Sequence, residues 1–167
     1  MTESNVATAK AAMESVHQFT GHYYKMIQHS RHNIEKLYHD SASLLYAGNL
    51  YKTKAQIVKL IQNTPPCSHT VDTVDCQEVG LKYTNGKKTI LVVVTGTVKY
   101  ESEKKLKGFH QTFTIVNMDQ KWKIMSETIR LHSLWKTLNF FFKICVVTTC
   151  DVNLSIYLFE NFQDVYL

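Results

Sequence analysis

Two kinds of hydrophobic pattern follow one another along the chain. In residues 9–66 the apolar side chains recur three or four positions apart, which is the spacing of amphipathic helices. In residues 68–132 β-branched and aromatic residues dominate and alternate with polar ones, as in strands. Helices followed by about four long strands predict an α+β domain, with three helices packed on one face of a strongly bent antiparallel sheet.

Three helices are predicted before the strands. The first two cover residues 9–29 and 30–40, and the third begins at Thr53, where Gln56 completes a capping box. The sequence Asn63-Thr64-Pro65-Pro66 ends the third helix because proline cannot continue it. The residues predicted to face the core are Ala12, Val16, Phe19, Tyr23, Met26, Ile34, Leu37, Tyr38, Ile57, Leu60 and Ile61.

The predicted strands are separated by turn-forming residues. A short strand at 41–46 lies between the second and third helices. Asn85-Gly86 is a strong signal for a two-residue type I′ hairpin, which would join a strand at 81–84 directly to the strand that follows. The other strands are predicted at 70–79, 109–116 and 122–132.

The stretch Thr89–Tyr100 is apolar on both faces of the strand that it predicts. A strand with one wet face should alternate apolar and polar residues, so both faces here need a cover. Helices of the same chain can cover one face. The other requires a further element or a second protein chain. The first face carries Ile90, Val92 and Val94, and the second carries Leu91 and Val93.

Composition indicates one globular domain. The chain has 167 residues, of which 44% are hydrophobic and 20% charged, a balance that excludes a disordered protein. Its four cysteines include no Cys-x-x-Cys pair, which favours free thiols in a reducing compartment. The first ten residues contain no apolar segment of a secretory signal.

Three regions are expected: a flexible N-terminus at 1–8, the domain at 9–133 and an apolar extension at 134–167. The extension is interrupted by Lys143 and is too short to cross a membrane. The sequence does not distinguish whether this extension forms an extra strand, a helix that covers the sheet or a poorly ordered tail.

The net charge of +5 permits attraction to nucleic acid or to acidic partners. The lysines cluster at Lys87-Lys88 and at residues 104–107, both within expected turns. Solvated turns and an RNA-contacting patch are both compatible with these clusters.

Motifs from Val16 to His132 resemble the nuclear transport factor 2-like family, and more closely its branch of export proteins. Members of that branch are the small, non-catalytic subunit of the heterodimeric messenger-RNA export receptor. Gly108-Phe109-His110-Gln111 looks more like the import-factor branch. The other matching stretches are Phe19-x3-Tyr23-Tyr24, Leu37-Tyr38, Val74-Asp75-Cys76-Gln77, Leu91-Val92-Val93-Val94-x-Gly96-x-Val98-Lys99, Gln111-x-Phe113 and Trp122-Lys123-Ile124.

The resemblance implies a cone-shaped fold whose outer sheet face packs against a second domain of the same fold. The implied partner is the corresponding domain of the larger export-receptor subunit. Nucleoporin Phe-Gly repeats would be reached through the heterodimer and RNA only indirectly. The protein would shuttle between nucleus and cytoplasm through the nuclear pore, with no membrane, metal or cofactor. The implied partner-binding residues are Asp75, Leu91, Val93, His110, Thr128 and Arg130.

In that branch an aspartate and an arginine on the sheet face pair with opposite charges on the larger subunit, and they correspond here to Asp75 and Arg130. Such pairs select a partner more than they add affinity, because a mismatched buried charge is costly. The alternative is that these two residues are solvated, or that they pair with each other.

Two other functions stay open. Members of the import branch are homodimers that bind the GDP form of the small GTPase Ran through acidic residues. Ala47 stands where that branch has a glutamate. The acidic run Glu101-Ser-Glu103 is followed by Lys104, whose charge opposes such binding. The fold also serves dehydratases and isomerases, for which Asp40, Tyr46, His69 and His110 are the candidates. His29 and His32 lack a third metal ligand at motif spacing.

Overall fold

The computed structural model describes residues 3–134, with side chains from residue 8 onward. The predicted extension lies outside the described residues from position 135. The elements are helix α1 (Glu3–His29), a 3-10 helix (Arg31–Leu37), strands β1 (Tyr38–Tyr46) and β2 (Asn49–Tyr51), helix α2 (Lys54–Asn63), strand β3 (Cys67–Val79), a short 3-10 turn (Leu81–Tyr83), and strands β4 (Thr89–Tyr100), β5 (Lys107–Met118) and β6 (Lys121–Ser133).

The six strands form one sheet in the order β2-β1-β6-β5-β4-β3. The sheet curls around the helices without closing, so β2 and β3 are its edges. This confirms the predicted α+β architecture. The expectation of a purely antiparallel sheet is wrong at one place, because β1 and β6 run parallel, with Leu45 beside Thr128. A parallel pair needs a long crossover, and here the chain from β2 to β5 supplies it.

The loop between β3 and β4 also differs from the prediction. Asn85 and Gly86 both have positive φ angles, 50° and 76°, as a type I′ turn requires. However, the pairing of the strands ends at Val79 and Thr89, and residues 81–83 form a 3-10 turn rather than a strand. The turn therefore sits at the tip of a nine-residue loop instead of joining two paired strands.

The boundaries of the helices follow local chemistry. Helix α1 begins at Glu3, six residues before the predicted start, in a stretch rich in alanine. Helix α2 begins where predicted, since the Thr53 side chain accepts a hydrogen bond from the Gln56 amide. The second predicted helix is a 3-10 helix, and the chain is already extended at Tyr38. The three-residue strand β2 was not predicted.

The core lies between α1 and the inner face of the sheet. The predicted stripe of α1 is buried there, except that Met26 is only half-buried and Ile27 takes the deeper position. Phe113 on β5 packs edge-to-face against Phe19 and Tyr23, with ring centroids 5.5 and 4.9 Å apart.

Candidate partner-binding surface

Strand β4 has one covered face and one bare face. Ile90, Val92 and Val94 are completely buried against the helices. Leu91 and Val93 point the other way and remain 37% and 36% exposed. The described part of this chain therefore covers only one side of the strand, and no further element among residues 3–134 covers the other.

The bare side of β4 belongs to a continuous surface, which we call the outer sheet face: the outward residues of β3, β4, β5 and β6. Register aligns Asp75, Val93 and Thr112 in one row across three strands. In the next row the hydroxyls of Thr73 and Thr95 are hydrogen-bonded at 2.7 Å, and Thr95 faces His110. The side chains of these two rows are short and mostly β-branched, apart from Asp75 and His110.

Asp75 and Arg130 are both exposed on the outer sheet face but do not pair with each other. Arg130 is on β6 and Asp75 on β3, with β5 and β4 between them. At about 4.8 Å per strand this separates the two backbones by roughly 14 Å. Among the described residues neither side chain makes an ion pair, so both charges are available to an external partner.

His110 also lies on the outer sheet face, and its ring centroid is 5.1 Å from that of His132 on β6. Gly108 makes room for this arrangement, because a Cβ there would lie 2.1 Å from His132 Nε2. Partial burial and the neighbouring His110 lower the pKa of His132. Thr128 is exposed on the same strand.

Two exposed apolar residues on β1 and β2, which adjoin the outer sheet face, were not predicted from the sequence. Leu45 is 37% exposed and Leu50 is 55% exposed. They face each other across β1 and β2, and Leu45 also lies beside Thr128. The alternation within β1 indicates that Leu44 and Leu45 lie on opposite faces. Only the pairing of β1 with β6 shows that Leu45 lies on the same side of the sheet as Thr128.

The interior of the cone holds a buried carboxylate, that of Glu127, which is 1% exposed. It accepts hydrogen bonds from the hydroxyls of Tyr23 (2.7 Å) and Tyr38 and from Gln111 Nε2 (2.6 Å). Gln111 in turn accepts a hydrogen bond from the Tyr24 hydroxyl at 2.7 Å. Burial raises the pKa of Glu127, while the three donors oppose that change. We call these five side chains the Glu127 network.

A cavity of about 50 Å³ lies between the Glu127 network and α2. It holds a few water molecules at most and is far smaller than the ~300–1,000 Å³ of typical ligand sites. Its polar lining comprises Arg31, Thr64, Cys67, His69, Gln111 and three tyrosines, and no carboxylate of the described residues lines it. The groups of the lining that can exchange a proton are therefore His69, Cys67 and the tyrosines.

The four candidate catalytic residues are not brought together. Asp40 is 91% exposed at its side chain and pairs with Lys54 at 3.1 Å, which lowers its pKa. Tyr46 lies at the cavity rim, 3.2 Å from the Tyr100 hydroxyl. His69 lines the cavity, where burial first and Arg31 second lower its pKa to about 4. His110 is on the opposite side of the sheet.

The thiols and histidines of the described residues form no metal site. Cys67 and Cys76 are free and half-buried, and burial raises the pKa of both. Within residues 3–134, no helix has the length and the apolar character needed to cross a bilayer.

A family model, the nuclear transport factor 2 (NTF2) domain, matches residues 15–131. The chain belongs to this family. Over 131 residues it is 29% identical to NTF2-related export protein 2 of Bos taurus, covering 76% of this chain and 91% of the relative. It is 31% identical to nuclear transport factor 2 of Davidiella tassiana, covering 68% and 89%.

The fold itself matches a solved structure of nuclear transport factor 2 from Cryptosporidium parvum. The TM-score is 0.59 at 24% identity, over 69% of this chain and 90% of that one. This similarity shows that the predicted cone fold is present. The two sequence relatives are named for transport and export, not for an enzymatic reaction.

Proposed function

We propose that this protein is a non-catalytic adaptor of nuclear transport that forms a heterodimer through its outer sheet face. Its partner would be the NTF2-like domain of the larger messenger-RNA export receptor subunit. The pair would shuttle between nucleus and cytoplasm and engage nucleoporin Phe-Gly repeats at the pore. The similarity to NTF2-related export proteins supports the export branch.

The observation that carries the proposal is the bare side of β4. Leu91 and Val93 are more than one-third exposed in the middle of the longest apolar strand, and Leu45 and Leu50 extend that apolar surface toward the other edge. A stable monomer rarely leaves such a surface uncovered. Asp75 and Arg130 flank this surface with opposite charges. These charges favour a partner whose own sheet carries complementary charges over a partner with an uncharged sheet.

The import reading is a second candidate, because the Davidiella tassiana relative is named nuclear transport factor 2. The mouth of the cone argues against Ran-GDP as cargo. Ala47 replaces the acidic residue of the import branch, and the Glu103 carboxylate is already paired with Lys107 at 2.7 Å. Neither position offers a carboxylate free to receive a basic switch region.

The direct test is co-expression of the full chain with the NTF2-like domain of the export receptor, followed by measurement of the complex mass. The expected result is a one-to-one heterodimer. A homodimer that persists in the presence of excess receptor domain would overturn the proposal and favour the import reading. A stable monomer would show that neither partner covers the outer sheet face.

A further inference from the structure

The nine-residue loop between β3 and β4, residues 80–88, has features that the adaptor role does not use. We call it the basic loop. Its 3-10 turn and its type I′ turn are joined by backbone hydrogen bonds, from Gly86 to Leu81 (3.0 Å) and from Lys87 to Thr84 (3.0 Å). The Thr84 hydroxyl donates to the Lys87 carbonyl at 2.6 Å. The loop is much longer than a two-residue hairpin turn, and these hydrogen bonds lie entirely within it.

The basic loop presents an aromatic ring to solvent. Tyr83 is 74% exposed and Leu81 is 58% exposed, the two highest values among the large exposed hydrophobic residues described. The Lys82 ammonium lies 4.7 Å from the Tyr83 ring centroid, so the ring already carries a cation on one side. An exposed aromatic ring next to ammonium groups is the arrangement on which unpaired bases stack.

Positive charge collects around this ring. Lys82, Lys87 and Lys88 are all exposed in the basic loop. The Asn117 amide donates to the Lys88 carbonyl at 2.8 Å, which brings the β5–β6 turn and Lys121 to the same end of the sheet. Two acids oppose these lysines: Glu78, which pairs with Lys88 at 3.4 Å, and Asp119 in the neighbouring turn.

We propose that the basic loop binds single-stranded nucleic acid directly, with a base stacked on Tyr83 and with Lys82 and Lys87 on the phosphates. The chemistry favours a nucleic acid over an acidic peptide. The carboxylates of an acidic peptide would contact only the lysines, whereas a nucleic acid would also place a base on the exposed ring of Tyr83. This goes beyond the adaptor role, in which RNA is reached only through the partner. The contact does not require the outer sheet face, which lies on the strands and not on their connecting loop.

The test measures binding of the full chain to a fluorescein-labelled uridine oligonucleotide of about 15 nucleotides. Tyr83→Ala should weaken binding on the order of tenfold, and Tyr83→Phe should bind within about twofold of wild type, since stacking needs only the ring. Lys82→Gln with Lys87→Gln should lower the slope of log Kd against log salt by about 1.4. A duplex of the same length should bind less tightly, because its bases are not available to the ring.

The matched control is Lys52→Gln with Lys59→Gln, which removes the same charge from exposed positions around α2. That variant should bind with a nearly unchanged salt slope. The proposal is overturned if Tyr83→Ala binds like wild type, or if both lysine pairs have the same effect. Equal competition by polyglutamate would likewise overturn it and identify the basic loop as a site for acidic peptides. None of these readouts depends on heterodimer formation.

Discussion

The Tyr23 hydroxyl donates a 2.7 Å hydrogen bond to the Glu127 carboxylate, 104 residues further along the chain. The bond ties α1 to β6 inside the cone, where both side chains are buried. Tyr38 and Gln111 complete the shell around the same carboxylate. A buried carboxyl group that satisfies several donors contributes to stability mainly because its removal would leave those donors unpaired.

Loss of the Glu127 carboxylate should therefore destabilise the domain. Glu127→Leu leaves the buried hydroxyls of Tyr23 and Tyr38 without an acceptor, whereas Gln111 Nε2 keeps the Tyr23 oxygen at 3.0 Å, and it should lower the free energy of unfolding by about 3–5 kcal/mol. Tyr38→Phe, which removes one donor only, should cost about 2 kcal/mol. Urea unfolding followed by circular dichroism measures both. A Glu127→Leu variant within about 1 kcal/mol of wild type would show that the network contributes little to stability.

The free energy of unfolding should decrease as the pH is lowered, because of His69. Its pKa in the folded protein is about 4, below the ordinary value near 6.5, so the folded state favours the neutral ring. Above pH 6.5 the His69 ring is neutral in both the folded and the unfolded protein, so it causes no loss of stability there. As the pH falls from 6.5 toward 4 the unfolded chain takes up the proton first, which costs up to about 3 kcal/mol.

The comparison that isolates His69 is the variant His69→Gln, which has no titrating ring. Carboxylates contribute equally to both proteins, so the difference between their unfolding free energies should change across pH 6.5 to 4, with wild type losing more. Two curves that run parallel through this window would assign the acid sensitivity to other groups.

The sequence was sufficient for the architecture because the relevant signals are local. Alternation within β4 predicted that Ile90 and Leu91 lie on opposite faces of the strand, and the capping pair Thr53 and Gln56 predicted the start of α2. These features depend on neighbours within a few residues, where spacing and burial are directly linked.

Non-local relationships were out of reach. Glu127 reads as a polar residue in an amphipathic strand, and nothing near it indicates that Tyr23 and Gln111 will surround it. Likewise, Asn85-Gly86 does form its type I′ turn, but the sequence cannot show that pairing stops at Val79. The contacts that Asp75 and Arg130 make with another chain stay a prediction.

Two glycines offer a matched test of the packing. An added Cβ at Gly96 would lie 2.1 Å from the Thr70 carbonyl oxygen and 2.9 Å from the Phe109 ring, so backbone and core must both shift. At Gly108 the three atoms nearest to the added Cβ all belong to the imidazole of His132, a half-buried side chain that can change its rotamer. Gly96→Ala should lower the free energy of unfolding by about 3 kcal/mol, and Gly108→Ala by less than about 1 kcal/mol. Equal losses in thermal unfolding would contradict this difference.

Ran-GDP should not bind measurably. Ala47 provides no carboxylate at its position, and Lys107 pairs with Glu103, one of the two acids in the loop after β4. A pull-down on immobilised Ran-GDP at low salt, with an import factor as the positive control, is the appropriate measurement. A micromolar dissociation constant would reverse the choice between the two branches.

Partner selection should depend on Arg130 and Val93 for different reasons. Arg130→Glu would place like charges opposite each other in a partly desolvated interface, at a cost on the order of 2–5 kcal/mol of association. Val93→Glu would bury an unpaired carboxylate against the partner's sheet. Both positions are exposed in the free domain, so each variant should unfold within about 0.5 kcal/mol of wild type.

The control for both variants is Lys25→Glu, an equal charge reversal at an exposed position on α1. Pull-down with the receptor's NTF2-like domain should fail for Arg130→Glu and Val93→Glu and succeed for Lys25→Glu, with circular dichroism showing that all three fold. If Arg130→Glu binds as well as wild type, Arg130 does not lie in the interface. Wild-type binding by Val93→Glu would mean that the bare side of β4 is not what the partner covers, and the heterodimer would then have to form elsewhere.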